Sequence, residues 1–166
     1  MEINDLKDVV CKIIDEHSEQ IITLAQKVAQ HPELGYKEDM TSQAVKDFFT
    51  EIGLQYQDGL AITGVKASLK GNSIGPTVAI LGELDAVLCP DSPYADPATG
   101  AAHACGHHLQ LGAMLGAALG LKLSGISQHL SGNVAFLAVP AEEYVEIAYR
   151  MKLREEGKIH YLGGKQ

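Results

Sequence analysis

Residues 77–85 read Thr77-Val78-Ala79-Ile80-Leu81-Gly82-Glu83-Leu84-Asp85, a short apolar run that breaks into two acids. A continuous apolar run of this length suits a strand buried on both faces. A second run, Asn133 to Val139, flows into Pro140-Ala141-Glu142-Glu143. Between the two lie a loop-like stretch from Leu88 to Ala104, punctuated by Pro90, Pro93, Pro97 and Gly100, and an apolar helix from Leu109 to Leu123. That helix contains Gly112, Gly116 and Gly120, each costing ~1 kcal/mol against Ala, which predicts close packing onto a sheet. A charged helix from Tyr144 to Glu156 follows. Strands interleaved with helices point to an α/β fold, a sheet with helices on its faces.

Upstream, Leu6, Val9, Val10, Ile13, Ile14, Ile21, Leu24, Ala25 and Val28 recur at three- and four-residue steps, predicting one long amphipathic helix that ends by His31-Pro32. A second helix is expected from Thr41 or Ser42, with Gly53 at its C-terminal cap. Ile62 to Leu69 alternates loosely, and Gly71-Asn72-Ser73-Ile74-Gly75-Pro76 is turn chemistry, so a hairpin is expected there.

Composition narrows the partners. The chain has 166 residues, 46% of them hydrophobic, and 13 Lys and Arg against 21 Asp and Glu give a net charge of −8. An acidic chain without a basic block is a poor match for nucleic-acid phosphates or an anionic membrane surface. No stretch approaches the ~18 consecutive apolar residues of a membrane-spanning helix. Cys11, Cys89 and Cys105 are an odd number at wide spacing, which is no disulfide framework, and a reduced, cytoplasmic protein is the simplest expectation.

Three polar clusters follow the predicted strands or the loop between them, where open α/β sheets place their ligands. His103-Ala104-Cys105-Gly106-His107-His108 is the densest. His103, Cys105 and His107 alternate, so an extended segment projects them to one side. A thiolate and an imidazole two residues apart suit a borderline-soft ion such as Zn²⁺, with carboxylates completing the shell. Glu142-Glu143 supplies such carboxylates. Neighbouring side chains diverge, so one can ligate a metal while the other accepts a proton from the water that the metal activates. Solvated acids opening a charged helix are the plainer reading of that pair, and its place after an apolar strand and Pro140 argues against it. In Glu83-Leu84-Asp85, Asp85 can orient a ligating histidine from behind, and Glu83 can do the same or be a simple loop acid.

Taken together, HPELGYKE at 31–38, GELDA at 82–86, HACGHH at 103–108 and PAEE at 140–143 resemble, in order and spacing, the M20 metallopeptidase family, and most closely its N-acyl-amino-acid amidohydrolase branch. The resemblance spans nearly the whole chain. It implies a zinc-peptidase-like catalytic domain with a three-layer sheet and helices on both faces. It also implies a site of two divalent metal ions, Zn²⁺ or Mn²⁺, that hydrolyses an amide beside a free carboxylate in an N-acyl amino acid or dipeptide. Residue by residue, it implies Cys105, His107 and Glu143 as metal ligands, Glu142 as general base and Asp85 as the supporting acid. His103 lies in the motif without being a usual ligand, and His108 stands where the family carries Asp or Asn. The motif at 31–38 is expected to shape the loop beneath the site. Family members are about twice this length or more, so residues 1–166 are expected to be the N-terminal part of the catalytic domain. The dimerisation or lid domain, the C-terminal return and two further histidine ligands would then be missing. A homo-oligomer or a complementing segment of chain is the expected partner.

Two other readings stay open. One is a truncated, inactive relative acting as a binding or structural module. The other is a cysteine hydrolase using Cys105 with His107 or His108, which lacks a third positioning group and a clear oxyanion hole.

Overall fold

The computed structural model describes residues 2–165. Helices α1 (Ile3–Glu16), α2 (Ser18–Ala29) and α3 (Asp39–Glu51) are followed by strands β1 (Tyr56–Leu60), β2 (Gly64–Lys70) and β3 (Ser73–Glu83). Two short strands, β4 (Val87–Leu88) and β5 (Ala101–Ala102), lie within the loop that precedes helix α4 (His107–Leu123). A 3₁₀ turn (Ile126–His129), strand β6 (Ser131–Val139) and helix α5 (Ile147–Glu155) complete the order.

The main sheet runs β1-β2-β6-β3, with β3 parallel to β6 and the other pairs antiparallel. The fold is α/β, as the interleaved pattern predicts. Val65, Ala67 and Leu69 of β2 oppose Ala138, Phe136 and Val134 of β6, and these six form one inner face. Phe48 and Phe49 of α3 and Leu111, Met114, Leu115 and Leu119 of α4 cover that face in a single core. Helices α1 and α2 pack in turn against α4, while α5 packs through Leu153 against Tyr36 and Ala141 at the end of β6.

Several expectations are corrected. The long N-terminal helix is two, broken at His17, whose ring Nδ1 lies 2.8 Å from the Ile13 carbonyl and competes for a helical acceptor. Helix α3 starts at Asp39 because its first amides are capped from upstream. The Glu33 carboxylate accepts from Met40 and Thr41 N–H at 2.9 and 2.8 Å, so Thr41 and Ser42 lie inside the helix. The expected hairpin across residues 71–76 does not pair, because β6 inserts between β2 and β3. The true hairpin joins β1 and β2. Strand β3 is an edge strand rather than one buried on both faces, and Val78 is 59% exposed. The glycines of α4 face helices, not the sheet. A Cβ at Gly112 or Gly116 would sit 3.2 Å from Ala25 or Ile21, and one at Gly120 would overlap Ile14 at 2.7 Å.

Candidate metal centre

The ends of β3 and β6 and the start of α4 meet at His107. This residue begins α4, and Gly106 before it adopts φ 87°, a left-handed turn that glycine makes without a side-chain clash. Residues 103–106 therefore form a turn and not an extended segment, which separates His103 from the other two predicted donors. His103 instead stacks obliquely on His108, ring centroids 5.3 Å apart, beside an open cleft also lined by Tyr94, Gln26 and Gln30. Burial, and then the neighbouring His108 and His107, push its pKa down to about 4.

The His107 imidazole is buried and surrounded by acceptors. Its Nδ1–H donates to the Asp85 carbonyl at 2.9 Å, with Asp85 Oδ1 at 3.4 Å. Its Nε2 faces Glu83 Oε2 at 2.8 Å, Glu142 Oε2 at 3.7 Å and Glu143 Oε1 at 3.8 Å. Burial alone lowers the pKa of this ring, but hydrogen bonds to Asp85 and Cys105 outweigh it and push the value up to about 11. The ring sits at the centre of a carboxylate cluster. Asp85 itself is fully buried. Its Oδ2 accepts from the Glu143 N–H at 2.9 Å, and its Oδ1 has no hydrogen-bond partner among the described residues.

Cys105, His107, Glu142, Glu143 and Asp85 come together here, whereas His103 does not. One donor set is Cys105, His107 and Glu143, another is Glu83, His107 and Glu142, and within each set the ligand atoms lie within 4.8 Å of one another. Thiolate, imidazole and carboxylate make a donor set suited to Zn²⁺. An excess of buried acceptor oxygens around one position favours a cation there. The residues present therefore fit a divalent ion. The two adjacent glutamates, however, do not diverge. Ala141 has φ 52°, so the strand's alternation ends before Glu142, and both carboxylates come within 4 Å of the same imidazole nitrogen.

Two more residues join the site, one left open by the sequence and one unforeseen. Glu83, for which the sequence leaves open a supporting role or a simple loop acid, is 4% exposed and makes the shortest contact to His107. Lys165 places its Nζ on Glu83 and 3.3 Å from Glu142 Oε1. Glu83 was legible as an acid leaving a buried strand, whereas nothing in the local sequence marks Lys165.

No family profile matches the chain. It is 37% identical over 143 residues to N-acetyl-L-cysteine deacetylase of Bacillus subtilis, covering 84% of this chain and 33% of that protein. It is 34% identical over 142 residues to IAA-amino acid hydrolase ILR1-like 2 of Arabidopsis thaliana, covering 84% and 31%. Among solved structures, a Bacillus subtilis dinuclear metal binding peptidase from the M20 family superposes with a TM-score of 0.68 at 30% identity, covering 86% of this chain and 40% of that one. The chain thus spans about a third of the length of the curated relatives it matches. With the fold, the order of the four motifs and these similarities in agreement, the chain belongs to the M20 family of peptidases and amidohydrolases.

Proposed function

We propose that this chain is the N-terminal part of the catalytic domain of a metal-dependent hydrolase that cleaves an amide bond in N-acyl amino acids or dipeptides. The observation that carries the reading is the convergence of Cys105, His107 and Glu143 donor atoms with the Glu142 carboxylate beside them. Cys105, His107 and Glu143 hold a divalent ion, Zn²⁺ or Mn²⁺, and a second ion shares the site once ligands from further chain complete it. When bound, such an ion polarises the scissile carbonyl and acidifies water to a pKa near 7. Glu142 is the proton-transfer group: it receives the proton from the attacking water and delivers it to the leaving amine. Asp85 positions rather than reacts, because its carbonyl fixes the His107 ring and its carboxylate fixes the Glu143 backbone.

Similar proteins that act on N-acetyl-L-cysteine and on amino-acid conjugates support this substrate class. The exposed edge of β3, with Val78 and Leu81 uncovered, supports a longer chain or a second copy closing over it. No helix among the described residues is long and apolar enough to cross a membrane. The alternative of a relative that has lost catalysis draws on one observation: the ammonium of Lys165 pairs with Glu83 and Glu142.

The test is hydrolysis of a panel of N-acyl amino acids and dipeptides by the intact protein with added Zn²⁺ or Mn²⁺. Glu142→Gln should keep its metal and lose ~10²–10⁴-fold in kcat. Near-normal turnover in that variant, or turnover insensitive to chelators, would overturn the reading.

A further inference from the structure

The motif at 31–38 and helix α5 have no role in the chemistry above, yet both converge on the backbone that carries Glu142 and Glu143. The Glu38 side chain is fully buried, and its Oε1 accepts the Ala141 N–H at 2.7 Å while Oε2 accepts the Thr63 hydroxyl at 2.6 Å. From the other side comes Arg150 of α5, also fully buried. Its Nη1 donates to the Ala141 carbonyl at 2.9 Å and to the Leu162 carbonyl at 2.8 Å, and its Nη2 donates to the Glu143 carbonyl. The guanidinium lies between the Tyr36 and Tyr144 rings, 5.4 and 5.8 Å from their centroids. With Asp85 on the Glu143 N–H, the amide and carbonyl groups of Ala141 and Glu143 are all held by buried charged side chains.

We infer that Glu38 and Arg150 are positioning residues for the Glu142–Glu143 pair, clamping the Ala141–Glu143 backbone so that both carboxylates leave β6 toward His107. The inference rests on the proposed function for its purpose, though not for its geometry. Ala141 needs such a clamp. Its left-handed φ is unfavourable for any residue with a Cβ and persists only where surroundings over-determine it. Released, Ala141 would return to extended backbone, and the strand's alternation would swing Glu142 and Glu143 to opposite sides. The fork matters as well as the charge. Two carbonyls two residues apart match the spread nitrogens of a guanidinium, which a lysine ammonium cannot reproduce. Neither residue touches the donor atoms, so each acts only through the backbone.

The experiment compares wild type with Glu38→Gln, Glu38→Leu and Arg150→Lys in the intact protein. The readouts are Zn²⁺ affinity by calorimetry, amide exchange at Ala141 and Glu143, and crystal structures. Partners of this indirect kind typically contribute ~10–100-fold to metal affinity. Glu38→Leu and Arg150→Lys should each lose about that much, with faster exchange at the two amides and unchanged exchange in the β6 core. Glu38→Gln keeps a side-chain acceptor for the Ala141 N–H and should restore Zn²⁺ affinity to near wild type. Arg150→Lys serves as the milder variant if Glu38→Leu fails to fold. Unchanged Zn²⁺ affinity in a folded Glu38→Leu or Arg150→Lys protein would overturn the clamp. If wild type itself binds no Zn²⁺, the proposed function fails separately. The crystal structures then decide the clamp: it stands if Glu142 and Glu143 move away from His107 in Arg150→Lys, and falls if they keep their wild-type positions.

Discussion

Along Ser73–Leu81 strand β3 leaves most of its side chains exposed, Ile74 and Val78 among them, whereas residues 82–86 are all buried although two of the five are acids. Hydropathy and burial run opposite to each other along one strand. At the C-terminal end, polar groups are buried because they are organised: Glu83 pairs with His107, and Asp85 holds both the His107 ring and the Glu143 backbone. Along the edge, apolar groups are exposed because β3 pairs with β6 on one side and has no strand on the other among the described residues. The strand end is finished and the strand edge is not. The candidate chemistry lies at the strand end, where the polar groups are buried and paired.

The contrast can be broken most sharply with one apolar substitution at the strand end. Leu84 is fully buried between the two acids, and Leu84→Ala should cost about 2–5 kcal/mol in denaturant unfolding. A cost below ~1 kcal/mol would mean that the strand end is loosely packed.

Next in size is a pH effect at the other buried acid near this end. Burial raises the Glu38 pKa from 4.5 to about 7, against the smaller lowering by its hydrogen bonds to Thr63 and Ala141. A folded-state pKa above the unfolded one means that the native protein binds the extra proton. This group's contribution is therefore fully present below pH 4.5 and is lost as pH rises through about 7, by roughly 3 kcal/mol at most. Glu38→Gln should flatten that part of the stability–pH curve. An identical slope in the variant would place the linkage elsewhere.

Asp85→Asn tests whether the buried carboxylate matters as a charge or only as a shape. The amide preserves the Asp85 backbone carbonyl that fixes His107, so the fold should survive. Metal affinity should fall ~10–100-fold because the charge behind the ligands is gone. Equal affinity, measured by competition with a chelator dye, would reduce Asp85 to a packing residue. Smallest of all is Val78→Lys on the exposed edge, expected to stay within ~0.5 kcal/mol of wild type in this chain. A larger loss there would reveal that the edge is covered in solution.

The fold class was legible because apolar runs, glycine-rich turns and the three-to-four-residue stripes each carry their own period. What was not legible depended on contacts distant in sequence. The insertion of β6 between β2 and β3 cannot be read from the Gly71-Asn72 turn, since turn chemistry does not say which strand pairs with which. The start of α3 moved because its cap is Glu33, outside the local capping pattern. At the site, Cys105, His107, Glu142, Glu143 and Asp85 were found from residue type and position after strands, and they do meet. The sequence leaves Glu83 open because its burial comes from the packing of the α4 start over the strand end. Arg150 was invisible: a charged residue in a charged helix looks solvated until the fold encloses it.

The most direct test of the account is the metal content, by mass spectrometry, of wild type, Glu142→Gln and Glu143→Gln prepared in parallel with Zn²⁺. The two glutamates are adjacent in sequence and almost equidistant from His107 Nε2, at 3.7 and 3.8 Å, but Glu143 groups with Cys105 and Glu142 with Glu83. The account predicts that Glu143→Gln loses bound Zn²⁺ while Glu142→Gln retains the wild-type amount. Full retention in Glu143→Gln, or loss confined to Glu142→Gln, would contradict it.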